Sequence, residues 1–162
     1  TAIVAAAHQV AAHDAALAGH CWLAGATDYC WREVTALTEP GGAFQLRYVL
    51  WFLDAVHDSR PGAAAELARV GGWLPANGVL PVEGGAEGEA LHPLDITPLS
   101  GRPLRALLPG PVVEADLARI ASGQQADGGW TVDHVSQTEA AALEWRGHAT
   151  VRAVRLLSEG VR

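Results

Sequence analysis

The chain is 162 residues long, 49% hydrophobic and 18% charged with a formal net charge of -7, which is one domain's worth of length, enough for a sizeable core and too apolar for intrinsic disorder. It contains no Met, and all eleven of its basic residues are Arg, so a Schiff-base lysine and a Walker-type phosphate lysine are both excluded. The acidic balance, without a dense arginine patch, argues against nucleic acid as a partner, and the uncharged stretch Ala15 to Thr27 is too short for a membrane span.

Thr1 to about Ala12 and Trp22 to about Leu37 are alanine-rich with apolar residues at helical spacing, and read as two helices joined by the polar link His13 to His20. Because no Met is present, Thr1 is read as the start of a processed or trimmed product; no signal-peptide pattern is seen, and a cytoplasmic location is expected. Cys21 and Cys30 on one helix would point to opposite faces roughly 13 Å apart along the axis, too far for a disulfide. Both read as small buried hydrophobes. After Pro40-Gly41-Gly42, the run from Ala43 to Val56 is apolar on every side except Arg47 and Asp54, the pattern of an inner helix covered all round. Pro61 then opens a shorter helix from about Gly62 to Val70, so residues 1–74 are expected to hold four helices.

Residues 75–111 differ in kind, holding seven of the nine Pro and six of the 18 Gly without sustained periodicity. Such a long irregular segment is either a packed cover or a linker. The apolar anchors Val79, Leu80, Val82, Leu91, Leu94, Ile96 and Leu99 favour a cover, with one helical turn around Leu104 to Leu108. A helix follows from about Val112 to Ser122, with Glu114 and Asp116 placed to suit the positive end of its dipole. The last helix is expected from Ser136, in a capping-box pattern with Glu139, to about Ser158. The fold class is all-α: antiparallel helix pairs forming a single domain, with residues 112–162 contributing a helix pair around a Gly-rich turn.

In that turn, GQQADGGWTVD, residues Gln124, Gly128 and Trp130 match the pattern Q-x3-G-x-W. This resembles the QW motif of the terpenoid cyclase and protein prenyltransferase α/α-toroid superfamily. The stretches ATDYCW (Ala26 to Trp31), LHPLDITP (Leu91 to Pro98) and VVEADLARIASGQQADGGWTVD (Val112 to Asp133) are likewise similar to actinobacterial proteins with prenyltransferase and squalene oxidase repeats. The resemblance implies an arc or part of an α/α toroid, a Gln that caps a helix end and a Trp stacked over it. Those relatives carry an upstream half that this chain lacks, so a partner chain or a missing N-terminal half is implied. The aspartate-rich run of class II terpene cyclases and the Asp, Cys and His zinc set of protein prenyltransferases are both absent from the sequence. Neither reaction carries over directly.

A cationic cyclisation needs a carboxylic acid held in a dry pocket and aromatic faces for carbocations. Candidate acids are Asp133, beside His134 and just past the motif turn, and Asp95 in the cover next to His92. Tyr48, Trp51, Phe52 and Trp145 are candidate substrate-facing aromatics, with ordinary core packing as the competing reading. Glu144, His148 and Arg152 recur every fourth residue and share one side of the last helix, either as a polar cavity wall with Glu144 tuning His148 or as an ion-paired surface. Asp127, flanked by Gly-Gly, reads as a turn former. Asp54, His57 and Asp58 share a face at a helix end, where the dipole favours His. Histidine spacings do not match a zinc site on one helical face, and no G-x-S-x-G or C-x2-C pattern occurs, so no metal or cofactor is expected.

The leading functional expectation is a terpenoid cyclase-like or prenyltransferase-like enzyme acting on an apolar, isoprenoid-type substrate, with Asp133, Glu144 and His148 catalytic. The alternative is a non-catalytic helical module that binds an apolar small molecule or a partner protein. An enzyme acting on a saccharide with acidic residues and Trp stands third.

Overall fold

In the computed structural model, which describes residues 1–132 and 138–160, the chain is mostly helical. Helix α1 spans Ala2–Ala11, α2 Ala15–Ala18, α3 Cys21–Thr35, α4 Ala43–Ala55 and α5 Ala63–Gly71. The polar link His13 to His20 is therefore not wholly irregular: Asp14 caps a single helical turn, its Oδ1 accepting from Ala16 and Leu17 N–H, a local bond that acidic N-caps supply. His20 does the same for α3, with Nδ1 accepting from Trp22 N–H at 3.1 Å.

Helix α4 is central, packing against α1, α5 and the middle segment. Its Leu50, Phe52 and Leu53 are fully buried in a cluster that also takes Val4, Leu23, Val34, Leu67 and Val70 from its neighbours. It is not covered all round, however. Phe44 stays 40% exposed and Arg47, Tyr48 and Trp51 half-buried, because they share the face turned away from α1 and α5. Cys30 is buried but Cys21 is exposed, which corrects the expectation for Cys21; it sits in the first, solvent-facing turn of α3.

Residues 75–111 carry more regular structure than their composition suggests. Leu80–Pro81 (β1) and Ala90–Leu91 (β2) pair antiparallel, Leu80 opposite Leu91, making a small hairpin. Pro93–Ile96 (α6) forms one helical turn, with Asp95 Oδ2 accepting from His92 N–H at 2.7 Å, and Arg105–Leu107 form a 3-10 turn. Helix α7 spans Gly110–Ser122 and α8 Glu139–Gly160. Because α7 starts two residues before the expected position, Glu114 and Asp116 lie beyond its first turn, and Asp116 is buried for a different purpose described below. Ser136 lies outside the described residues; the cap seen for α8 is Thr138, whose Oγ1 accepts from Ala141 N–H.

A second apolar cluster joins α7 to α8 through Ile120, Trp130, Ala153 and Leu156. Helix α6 belongs to both clusters at once, giving Ile96 to the first and Leu94 to the second, each fully buried. Among the described residues, no helix is long and apolar enough to cross a membrane.

Candidate functional site

Phe44, Arg47, Tyr48 and Trp51 recur at the three- and four-residue spacing that places them on one face of α4. The Arg47 guanidinium lies 4.9 Å from the Phe44 ring centroid, 4.7 Å from Tyr48 and 4.9 Å from Trp51, and donates to the Tyr48 hydroxyl at 2.8 Å. Trp51 Nε1 donates to Ile96 O at 2.7 Å, so this ring also ties α4 to α6. Of the aromatics expected to meet a substrate, Tyr48 and Trp51 thus have a face occupied by the chain's own cation, an arrangement favourable in itself. Phe52 lies in the core with none of its surface exposed.

Asp95 is engaged on both oxygens. Oδ2 caps α6, and Oδ1 lies 2.6 Å from Arg152 on α8. Glu144, His148 and Trp145 are exposed on α8, and the Trp145 ring meets His148 edge-on at 5.8 Å. The structure therefore brings together Tyr48 with Trp51, Asp95 with Arg152, and Trp145 with His148. Asp133 and His134, the leading acid and its neighbour, lie outside the described residues.

The Gln124 to Trp130 turn is a single hydrogen-bonded unit. Gly128 adopts φ +85°, which a side chain rarely permits. Gln124 Nε2 donates to Gly128 O at 3.0 Å, and Gln125 N–H donates to Gly129 O at 2.8 Å. The helix-end carbonyl goes to the indole instead: Trp130 Nε1 donates to Ile120 O at 2.6 Å, while Trp130 N–H donates to Thr150 on α8. Gln124 thus closes its own turn and Trp130 caps α7, the reverse of the division of labour that the resemblance implies. Asp127 accepts from Gly129 N–H and is clasped by Arg146 of α8. First the Arg146 bond and then the Gly129 bond hold its carboxyl below the ordinary carboxylate range.

Two buried aspartates fasten the middle segment to the helices. Asp54 Oδ1 accepts from Leu104 N–H at 2.9 Å and Oδ2 from Arg102, whose other arm reaches Asp58. Asp58 is held below the ordinary range by hydrogen bonds from His57 and Arg102. Asp116 Oδ2 accepts from Leu94 N–H at 2.8 Å and Oδ1 from Arg119 at 2.6 Å. These carboxylates satisfy donors that would otherwise be buried without partners. Neither role was foreseeable from local sequence, since both donors lie far along the chain.

Sequence reasoning also missed the groove that α1, α2, α3 and the end of α4 enclose. Its volume is about 480 Å³, and its lining mixes Ala11, Ala12, Ala18, Ala24 and Ala55 with His8, Leu23, Thr27, Asp28, Ser59 and Arg60. Thr27 Oγ1 donates to Leu23 O at 2.7 Å, so its short contact with His8 Nε2 at 2.8 Å must be a bond that the imidazole donates. Burial pushes the His8 pKa down, which favours the neutral ring. In that tautomer Nδ1 is an acceptor. Opposite charges are already matched, Arg60 donating to Asp28 at 2.7 Å and lying 4.8 Å from the Trp31 ring centroid. The groove is therefore electrically balanced, with small apolar surfaces and a neutral imidazole. Its sequence signal was weak: His8 and Thr27 stand on the buried sides of alanine-rich helices, and alanine there reads as helix propensity. No group of three or more His, Cys, Asp or Glu placed to hold a metal occurs among the described residues.

Comparison with protein-family models, with curated proteins and with solved structures gives no match to this chain.

Proposed function

We propose that the chain is a helical binding module that takes an uncharged, apolar-bodied small molecule in the alanine-lined groove, with a hydroxyl or amide of the ligand donating to His8 Nδ1. The observation that carries this reading is the pairing of a desolvated, neutral His8 with Thr27 at the wall of a charge-balanced groove. A charged ligand would find its counter-charge already taken, since Asp28 and Arg60 hold each other. Alanine methyls leave room for a flat or branched apolar body. Titration with farnesol, a neutral isoprenoid alcohol, checks this by calorimetry. Saturable binding is expected, weakened by His8→Ala and abolished by Ala24→Trp, which fills the groove from an exposed position. Binding that both variants leave intact would place the ligand elsewhere and overturn the assignment.

The second reading is the isoprenoid-processing enzyme. It is supported by the hydrogen-bonded Gln124 to Trp130 turn, three residues before Asp133 in the sequence. Turnover of an isoprenoid diphosphate that Asp133→Asn abolishes would favour it over simple binding.

A further inference from the structure

Helix α8 carries two apolar lines. Ala149, Ala153, Leu156 and Leu157 face the α7 cluster. A second line, Ala140, Leu143, Gly147, Val151 and Val154, follows steps of three and four residues along a different side, and every member is exposed, Leu143 to 64% and Val151 to 71%. An uncovered line of this length on an otherwise amphipathic helix marks a contact surface. To within one residue, the middle of the line is symmetric about position 149: Leu143 is matched by Val154, Gly147 by Val151, and the flanking Glu144 by Arg155, while Ala140 lies beyond the matched part.

We infer that this face pairs with the same face of a second copy of the chain, the two α8 helices crossing antiparallel near residue 149. A two-fold axis there sets Glu144 of each copy opposite Arg155 of the other, twice over, and seats each Val151 against the partner's Gly147. The space above Gly147 is open, with no atom within 4 Å of where a Cβ would stand, so a neighbouring helix can approach its backbone closely. A parallel pairing is disfavoured because it would set Glu144 against Glu144 and Arg155 against Arg155. Arg155 is exposed and holds Glu159 only loosely, at 3.6 Å, so it is free to exchange that contact for a partner carboxylate. An anionic membrane is the poorer occupant, given the net charge of -7 and the glutamate beside the stripe. The inference is independent of the groove reading, because the groove is lined from α1 to the loop after α4.

Four small or medium side chains and a glycine per copy bury less than the roughly 1,200 Å² of a stable interface, so the association is concentration-dependent. Sedimentation velocity of the intact chain from about 1 µM to about 1 mM tests it. A monomer–dimer transition is expected, and Val151→Glu is expected to remove it. Glu144→Arg and Arg155→Glu should each weaken dimerisation about tenfold, while the double exchange restores it. Gly147→Leu makes the stripe more apolar yet blocks the close crossing, so it should also weaken the dimer, whereas unspecific stickiness would strengthen. Each variant changes an exposed position, and circular dichroism confirms that the helices are retained. A wild type that stays monomeric throughout, a Gly147→Leu variant that associates more tightly, a charge exchange that fails to restore pairing, or binding to phosphatidylglycerol vesicles in place of dimerisation would overturn the proposal.

Discussion

Helices α1, α3, α4 and α5, with the middle segment, enclose one contiguous apolar cluster running from Val4 to Leu104, whereas α7 and α8 share with α6, among the described residues, a buried set of Leu94, Ile120, Trp130, Ala153 and Leu156. In the first region many side chains divide the burial between them. In the second one residue does most of the joining: the Trp130 indole is buried between the helices and donates to Ile120 O near the end of α7, while the Trp130 backbone N–H donates to Thr150 midway along α8. Polar ties carry the rest, with Asp127 to Arg146 across the turn and Asp95 to Arg152 across to α6. The same chain therefore uses distributed packing at one end and concentrated, hydrogen-bonded anchoring at the other. The concentrated end is the more vulnerable to one substitution.

The largest expected effect tests that asymmetry directly. Trp130→Ala should cost about 3–5 kcal/mol through cavity formation and lost anchoring. The damage should be confined to α7 and α8, seen as lost hydrogen-exchange protection in α8 while buried Cys30 in the first region stays unreactive toward a thiol reagent. Cys30 reacting as fast as exposed Cys21 would show that the two regions unfold as one unit. Asp116→Ala should cost about 1–3 kcal/mol, because it leaves the Leu94 N–H buried without its acceptor. Denaturant melts measure the loss, and faster protease cleavage around α6 locates it.

A finer variant separates area from hydrogen bonding at the same anchor. Trp130→Phe keeps a ring but removes the indole N–H, and should cost about 1 kcal/mol beyond the lost area, since Ile120 O still accepts from Gly123 N–H. The smallest effect concerns the first region and pH. Burial makes folded His8 less basic than its ordinary value of 6.5, so the unfolded chain binds the proton more readily. The stability His8 contributes is present above that value and is lost as pH falls through the folded one. Comparing denaturant midpoints at about pH 7.5 and about pH 5.5, wild type should lose more than His8→Gln.

Much of the helical framework was legible because it is locally encoded. Pro40-Gly41-Gly42 precedes α4 and Gly71-Gly72 ends α5, punctuation that acts within a residue or two. The turn α2 escaped notice because four residues are too few for periodicity, and what makes them helical is the Asp14 side chain. The buried roles of Asp54 and Asp116 were hidden for a different reason. Each looked like an ordinary helical carboxylate, and the N–H groups that define them belong to Leu104 and Leu94. Arg47 was visible as the odd charge in an apolar run, but the aromatic enclosure depends on which face α4 leaves uncovered. Likewise, alanines lining the groove are silent in one dimension, since a methyl marks neither face of a helix strongly.

The hairpin of β1 and β2 gives the molecule a natural site for grafting. Its tip, Glu83 to Gly88, is exposed throughout, and its two arms are held side by side by the Leu80 and Leu91 pairing and by Val82 N–H donating to Glu89 O. A guest domain whose own ends lie close together could be spliced between Glu87 and Gly88 without pulling on either apolar cluster, since exposed loop tips are where insertions are accepted. The same guest placed between Leu94 and Asp95 would separate Leu94 from Ile96 and uncouple the two clusters that α6 joins.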